Sequence, residues 1–527
     1  MPSSLACQTG FLGPINYDIM SAMPFRRKLE EIFGADLRAL GFFRIALSLL
    51  VFHSLLSRLL VLRSFYTDDG LFSSVIAQTF SPPWNFSIHY HFGSLGAQIL
   101  IFSASFVVNF LFLVGYRTRL AGCITWLLFL SLSLRNAPVN HGGNHLMWVL
   151  LFWSQFLPLG ARYSVDRILA ERQADFPAKE IPVRILSAGT AAFVLQIVLI
   201  YWCSGYSKLL NEEWAGGKAV YYALALKYYT NPFGLFLLNY PAVMKILTHA
   251  VLAFELLGPG LLLMPFFTLP LRLAAILGFM VMHLGFALGL NLDLFPWASM
   301  SAMLPLIPSF FWDRLEHSGG WFEGKKKVFQ SWAAAVLDKF KIMRTYKKSA
   351  FLPSRRNNFL ATFFLTAMVA LSFESFGALQ VPILLRFMSA TLHIEQFWFM
   401  FVPPGNASFW VVAPGKLKDE TIVDLFKNGK PLDWEQPVKP SGKLKNRHWQ
   451  IIAEDLAHSY IDRKNPRGDI LSPHVADYLC REWNAKYSGG KRLQEVQLVV
   501  LHKPILSDYG YGPVQKSSPF EHTCRER

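Results

Sequence analysis

Along this chain the apolar residues come in long, nearly unbroken runs, not in the one-sided stripes of a water-facing helix. Nine runs approach or exceed the ~20 residues that cross a bilayer. They are Ala39–Leu62, Gly96–Gly115, Leu120–Leu134, His145–Leu159, Leu186–Lys208, Leu247–Leu269, Leu273–Leu290, Leu294–Trp312 and Phe359–Ile383. The third and fourth are short, and the seventh and eighth nearly touch. The pattern predicts an all-α polytopic membrane bundle of about nine transmembrane helices, spanning residues 37–383 behind a cytoplasmic segment, 1–36.

After Ile383 the pattern changes, and Gly, Pro, Asn and Asp punctuate short segments. Residues 384–527 read as a small α+β extramembrane domain. Phe409–Pro414 and Thr421–Phe426 flank a Gly415–Glu420 turn as a hairpin would. His448–Ala457 and His474–Lys486 read as helices, and Val496–His502 alternates like a strand. The aromatic segment Gln396–Pro404 that leads into this domain is most simply an interfacial anchor, with a substrate-facing lip as the other reading.

Composition agrees: 53% of residues are hydrophobic, 15% aromatic and 16% charged, which excludes an ordinary soluble enzyme and intrinsic disorder. In a soluble chain the formal charge of +16 would suggest nucleic acid. Here the basic residues sit in short loops between apolar runs, so the partner they imply is the lipid bilayer. One side collects Arg26, Arg27, Lys28, Arg38, Arg117, Arg119, Arg162, Arg167, Arg172, Lys179, Arg184 and Arg272, with the basic Asp313–Asn358 loop. The other holds Arg63, Arg135, Lys208, Lys218, Lys227 and Lys245. This asymmetry predicts an integral multi-pass protein with a cytoplasmic N-terminus and an exported C-terminal domain, in the periplasm, outside the cell or in a lumen. No uninterrupted apolar stretch in Met1–Gly34 resembles a signal peptide.

Five cysteines, Cys7, Cys123, Cys203, Cys480 and Cys524, show no metal-ligand spacing, and no metal is expected. Cys480 and Cys524 share the exported domain, but spacing does not show that they meet.

Polar groups inside apolar runs are costly in hydrocarbon and so mark candidate sites. His53, Asn144, His145, Gln196, Lys208, Glu255 and His283 lie within or at the ends of different runs. Lys208 closes the fifth run, in Tyr201–Trp214, as either a snorkelling lysine or a desolvated amine able to serve as a general base. Asn140–His145, NHGGNH, reads as a turn that satisfies its own backbone or as a directional polar site. Its histidines lack a third metal ligand. Glu255 requires a partner such as His53, Lys208 or His283.

These residues resemble a known pattern. Asn144-His145 before an apolar helix, Ser164-Val165-Asp166, and Ser204-Gly205-Tyr206-Ser207-Lys208-Leu209 followed by Trp214 and Gly217 are similar to segments of the vitamin K-dependent γ-carboxylase superfamily. Its bacterial members carry the horizontally transferred transmembrane (HTTM) domain. Glu255 and the His283–Phe295 spacing fit as well, and the resemblance covers most of Leu37–Ile383. It implies a nine-helix enzyme in which Lys208 deprotonates reduced vitamin K or a related quinol. Oxygen then turns that cofactor into a strong base, a peptide glutamate loses its γ-proton, and the carbanion captures carbon dioxide. His145, oriented by Asn144, would act near the carbanion, with His283, Glu255 and Trp214 around the cavity and a secreted or membrane-associated peptide as substrate. Relative to the animal pattern one residue is inserted between Lys208 and Trp214, and the exported part is much shorter. A quinol-dependent γ-glutamyl carboxylase and a non-catalytic membrane maturation or binding factor for a secreted peptide or lipid therefore both stay open.

Overall fold

The computed structural model describes residues 17–173, 175–177, 181–317, 320–437, 446–462 and 467–525, so Cys7 and Lys179 lie outside the described residues. It is mainly helical, with a β-sheet near the C-terminus. The helices over the nine apolar runs are α1 (Leu37–Leu59), α2 (Leu95–Val114), α3 (Thr118–Arg135), α4 (Gly142–Ser154), α5 (Ala188–Leu209), α6 (Pro241–Leu263), α7 (Thr268–Gly289), α8 (Phe295–Ala302) and α9 (Arg355–Ser375).

Among the described residues six helical stretches are long and apolar enough to cross a membrane: α1, α2, α5, α6, α7 and the stretch Lys348–Ser375 that contains α9. The protein is an integral, multi-pass membrane protein. The remaining three runs are helical but depart from the expected simple spans. Helix α3 carries Arg119 and Arg135, and α4 has 13 residues. The run Leu294–Trp312 breaks after α8 into a 3-10 turn, Leu304–Leu306, and a further helix, Ser309–His317. Pro305 and Pro308 cause the break, because proline lacks an N–H to donate to the preceding turn. The basic segment expected as a loop contains a helix too, Trp321–Lys339, too polar for a hydropathy window to register.

Hydrogen bonds tie the helix ends into two opposite faces. On one face Leu37 N donates to Val183 O, and Arg272, at the start of α7, donates to Ile32 O and Leu306 O. Arg117 N and Thr118 N, at the start of α3, both donate to Asp166 at 2.8 Å, and Ala188 N, at the start of α5, donates to Asn358 Oδ1. On the other face Asn136 Nδ2 donates to Phe65 O, and Asn231 Nδ2 donates to Ala287 O.

The C-terminal domain packs on that second face. Tyr478 Oη donates to Ser64 Oγ, Arg481 donates to Asp69 O and Gly70 O, and Tyr228 Oη donates to Gln450 O. Its helices are α10 (Arg447–Asp462) and α11 (Arg467–Asn484), the second running through Pro473 and so starting earlier than expected. The expected hairpin is shifted. Pro414–Leu417 pairs with Ile422–Asp424, whereas Ala407–Val412 pairs with Leu493–Pro504. A break at Ala413 divides residues 407–417 into two strands that share this long partner, a non-local pairing that local turn chemistry does not reveal. Cys480 and Cys524 form a disulfide between α11 and the residue after the strand Phe520–Thr523.

The aromatic lead-in is not simply an interfacial belt. Gln396 and Trp398 are 2% and 1% exposed, while Phe397 is 63% exposed, an alternation that turns every second side chain into the bundle.

Candidate active site

Ser187 and Thr190 cap the start of α5 reciprocally, and the apolar helix then runs to Lys208 in its last turn, where a cation is favoured by the helix dipole. One turn earlier, Gly205 lets α6 come close, since a Cβ there would stand 3.2 Å from the backbone carbon of Glu255. This approach brings the Lys208 amine and the Glu255 carboxylate together. Lys208 Nζ donates to Glu255 Oε2 and to Ser204 Oγ, both at 2.6 Å, and its ammonium lies 5.1 Å from the centre of the Trp214 ring. Both ionisable groups are buried.

The pair lines a cavity of about 640 Å³ whose walls are otherwise largely apolar, with Trp214, His283, Phe295 and Met400 among them. His283 Nε2 shares a 2.7 Å hydrogen bond with the Tyr201 hydroxyl, and its ring meets Phe295 edge-on at 5.6 Å. His283 Nδ1 is buried without a hydrogen-bond partner among the described residues. Trp214 Nε1 donates to Phe401 O at 2.9 Å, fastening the lead-in of the C-terminal domain to the cavity wall. Lys208, Glu255, His283 and Trp214 thus face one space.

Asn144 and His145 are placed elsewhere. Asn144 Oδ1 accepts from His141 N, and His141 Nδ1 accepts from Gly143 N, so NHGGNH caps the start of α4. Asn144 Nδ2 is buried without a partner among the described residues. His145 Nε2 donates to the Glu395 carbonyl at 2.9 Å, with its ring against Trp398. Neither residue lines the cavity, although the adjacent Leu146 does. His53, a possible partner for Glu255 by sequence, instead approaches Asp293 at 3.3 Å, and Asp293 also meets His141 Nε2 at 3.1 Å. Among the described residues no group of three or more His, Cys, Asp or Glu could hold a metal ion.

The Ser164-Val165-Asp166 segment is a structural staple. Ser164 Oγ caps the short helix Val165–Glu171, and Asp166 accepts from the first residues of α3 and from the Tyr346 hydroxyl. Sequence reasoning missed Tyr201, Ser204 and Met400 as wall residues. The first two were available from spacing, since Tyr201, Ser204 and Lys208 lie at i, i+3 and i+7 on one helical face. Met400 had no comparable signal, because its inward direction follows from a long-range contact.

Residues 34–312, which contain every side chain named above on α1 to α7, match the HTTM domain. The chain belongs to the HTTM domain family. Over 181 residues the chain is 29% identical to the sporulation-delaying protein SdpB of Bacillus subtilis (strain 168), covering 33% of this chain and 53% of that relative. The match thus spans about half the length of the curated relative. No solved structure matches.

Proposed function

We propose that this HTTM protein is a membrane enzyme in which Lys208 acts as a base on a quinol and the resulting oxidation drives modification of a peptide, in the first instance γ-carboxylation of glutamate. The observation that carries this reading is the hydrogen-bonded Lys208–Glu255 pair inside an apolar cavity. The residues suit a reduced quinone: aromatic and aliphatic walls for the ring and chain, the Lys208 amine for a hydroxyl, and the unpartnered His283 Nδ1 for a second polar atom. Reduced vitamin K or a related quinol, with oxygen, supplies the strong base such a carboxylation needs.

The chain's own residues prepare that chemistry. As a base the Lys208 amine takes a proton from a quinol hydroxyl, and Glu255, hydrogen-bonded to it at 2.6 Å, holds it at the cavity wall. Ser204 and Trp214 hold the amine in place, and Tyr201 holds His283. The dry walls keep water from a carbanion. Asn144 and His145 act as positioning residues, one shaping the start of α4 and the other holding Glu395 beside the lead-in segment whose Met400 and Phe401 reach the cavity.

We further propose nine crossings, with α3, α4 and the α8 run included, a cytoplasmic N-terminus and an exported C-terminal domain. The alternation of helix ends between the two faces, the basic residues on one of them and a disulfide on the other support this arrangement.

A second reading, a non-catalytic maturation or binding factor for a secreted peptide or lipid, is favoured by the SdpB match. The two separate in one assay. Purified protein given reduced vitamin K, oxygen, labelled carbon dioxide and a Glu-containing peptide should yield vitamin K epoxide and labelled peptide together. Peptide binding with neither product supports the second reading.

A further inference from the structure

A second large cavity lies on the basic face of the bundle, at the opposite helix ends from the C-terminal domain. Its volume is about 720 Å³ and its walls are divided by chemistry. Phe42 and Ile45 of α1, with Phe110 and Leu113 of α2, form an apolar groove between two membrane helices. Beyond their ends Arg162, Arg167, Lys325 and Lys326 form the other wall, where Glu171 and Glu316 are the carboxylates among the described lining residues. Arg167 pairs with Glu171 at 2.7 Å, and Lys326 lies 3.4 Å from Glu323 and 3.8 Å from Glu316, while basic side chains outnumber carboxylates among the described residues of the wall.

The turn that carries Arg162 is held from below. Arg44 of α1 is fully buried and donates to Leu159 O at 2.8 Å and to Tyr163 O at 2.6 Å. Gly41 admits the same turn, because a Cβ there would stand 2.9 Å from Arg162 O. Tyr163 adopts φ +51°, a left-handed conformation unfavourable for a residue with a side chain. Its hydroxyl donates to Glu316 Oε1 at 2.8 Å, which joins the turn to the helix Ser309–His317. Two membrane-helix residues thus fix a strained turn whose side chains line a polar mouth above an apolar groove.

We infer that this cavity binds an anionic phospholipid, with its acyl chain in the groove between α1 and α2 and its phosphate among Arg162, Arg167, Lys325 and Lys326. Charge complementarity selects an anionic headgroup, and the continuous apolar wall at membrane depth selects a lipid over a soluble phosphate. The inference needs only the membrane reading and is independent of the chemistry around Lys208.

Native mass spectrometry tests it on the full chain, purified, delipidated and returned to an equimolar mixture of phosphatidylglycerol and phosphatidylcholine. Phosphatidylglycerol should be retained roughly tenfold in preference, and the double variant Arg162→Glu, Lys325→Glu should abolish the preference. The pair Lys339→Glu, Lys341→Glu, on the same face but off the cavity wall, should keep it. Milder Arg162→Gln, Lys325→Gln substitutions should lower it if the charge reversal unfolds the protein. Equal retention of both lipids, an equal loss in the off-wall pair, or thermal stabilisation by inorganic phosphate matching that by phosphatidylglycerol would overturn the inference.

Discussion

Gly205 of α5 lies against Glu255 of α6, so closely that an added Cβ would stand 3.2 Å from the Glu255 backbone carbon and 3.1 Å from Leu256 Cδ2. A methyl group at this crossing forces the two helices apart by a few tenths of an ångström. Gly205→Ala should therefore destabilise by about 1 kcal/mol and Gly205→Val by nearer 3, as overpacking of a tight contact does. Thermal unfolding in detergent measures this, and a Gly205→Val protein that melts with the wild type would show that the helices are not in close contact.

Removing one partner of a buried ion pair costs more than removing both. Lys208→Ala strands the Glu255 carboxylate among apolar side chains and should destabilise by about 3–5 kcal/mol. The double substitution Lys208→Met, Glu255→Leu should recover most of that loss. A double-mutant cycle of unfolding free energies gives the coupling. Additive single effects would mean that the two groups do not meet in the folded protein.

The proposed topology predicts opposite sidedness for Lys327 and Gly489, the first in a basic helix and the second in the disulfide-bearing domain. Compartment-sensitive reporters fused at each position should respond in opposite ways. The same response from both is incompatible with an odd number of crossings between them.

Glu395 lies at the seam where its own carbonyl holds His145. Burial pushes the Glu395 carboxyl from its ordinary 4.5 up to about 7. Between these values the folded state keeps a proton that the unfolded state has released. The stabilisation is therefore complete below pH 4.5 and lost as pH rises toward 7, by roughly 1–3 kcal/mol. Glu395→Gln should flatten that part of the stability profile. An unchanged slope would place the effect on another group.

Much of this arrangement was legible because hydrocarbon tolerates few sequence patterns. Long runs such as those of α2 and α5 declare themselves by length alone. Lys208 and Glu255 stand out as charges in apolar surroundings, and Lys208 was among the partners that Glu255 required. The run around α8 reads as one unbroken helix because hydropathy does not register Pro305 and Pro308 as breaks. Trp398 reads as an interfacial aromatic until its burial against His145 is seen, since residue type does not give direction across a long-range contact. The NHGGNH turn looked as much like a site as a cap, for the same donors and acceptors serve either purpose.

The most direct test of the central proposal is epoxide formation from reduced vitamin K by purified wild-type and Lys208→Ala protein, with and without a small added amine. Wild-type protein should form epoxide, Lys208→Ala should form none, and the amine should restore part of the activity in the variant, as expected when a base rather than the fold has been lost. Epoxide formation by Lys208→Ala at the wild-type rate, or none by the wild-type protein, would contradict a catalytic Lys208.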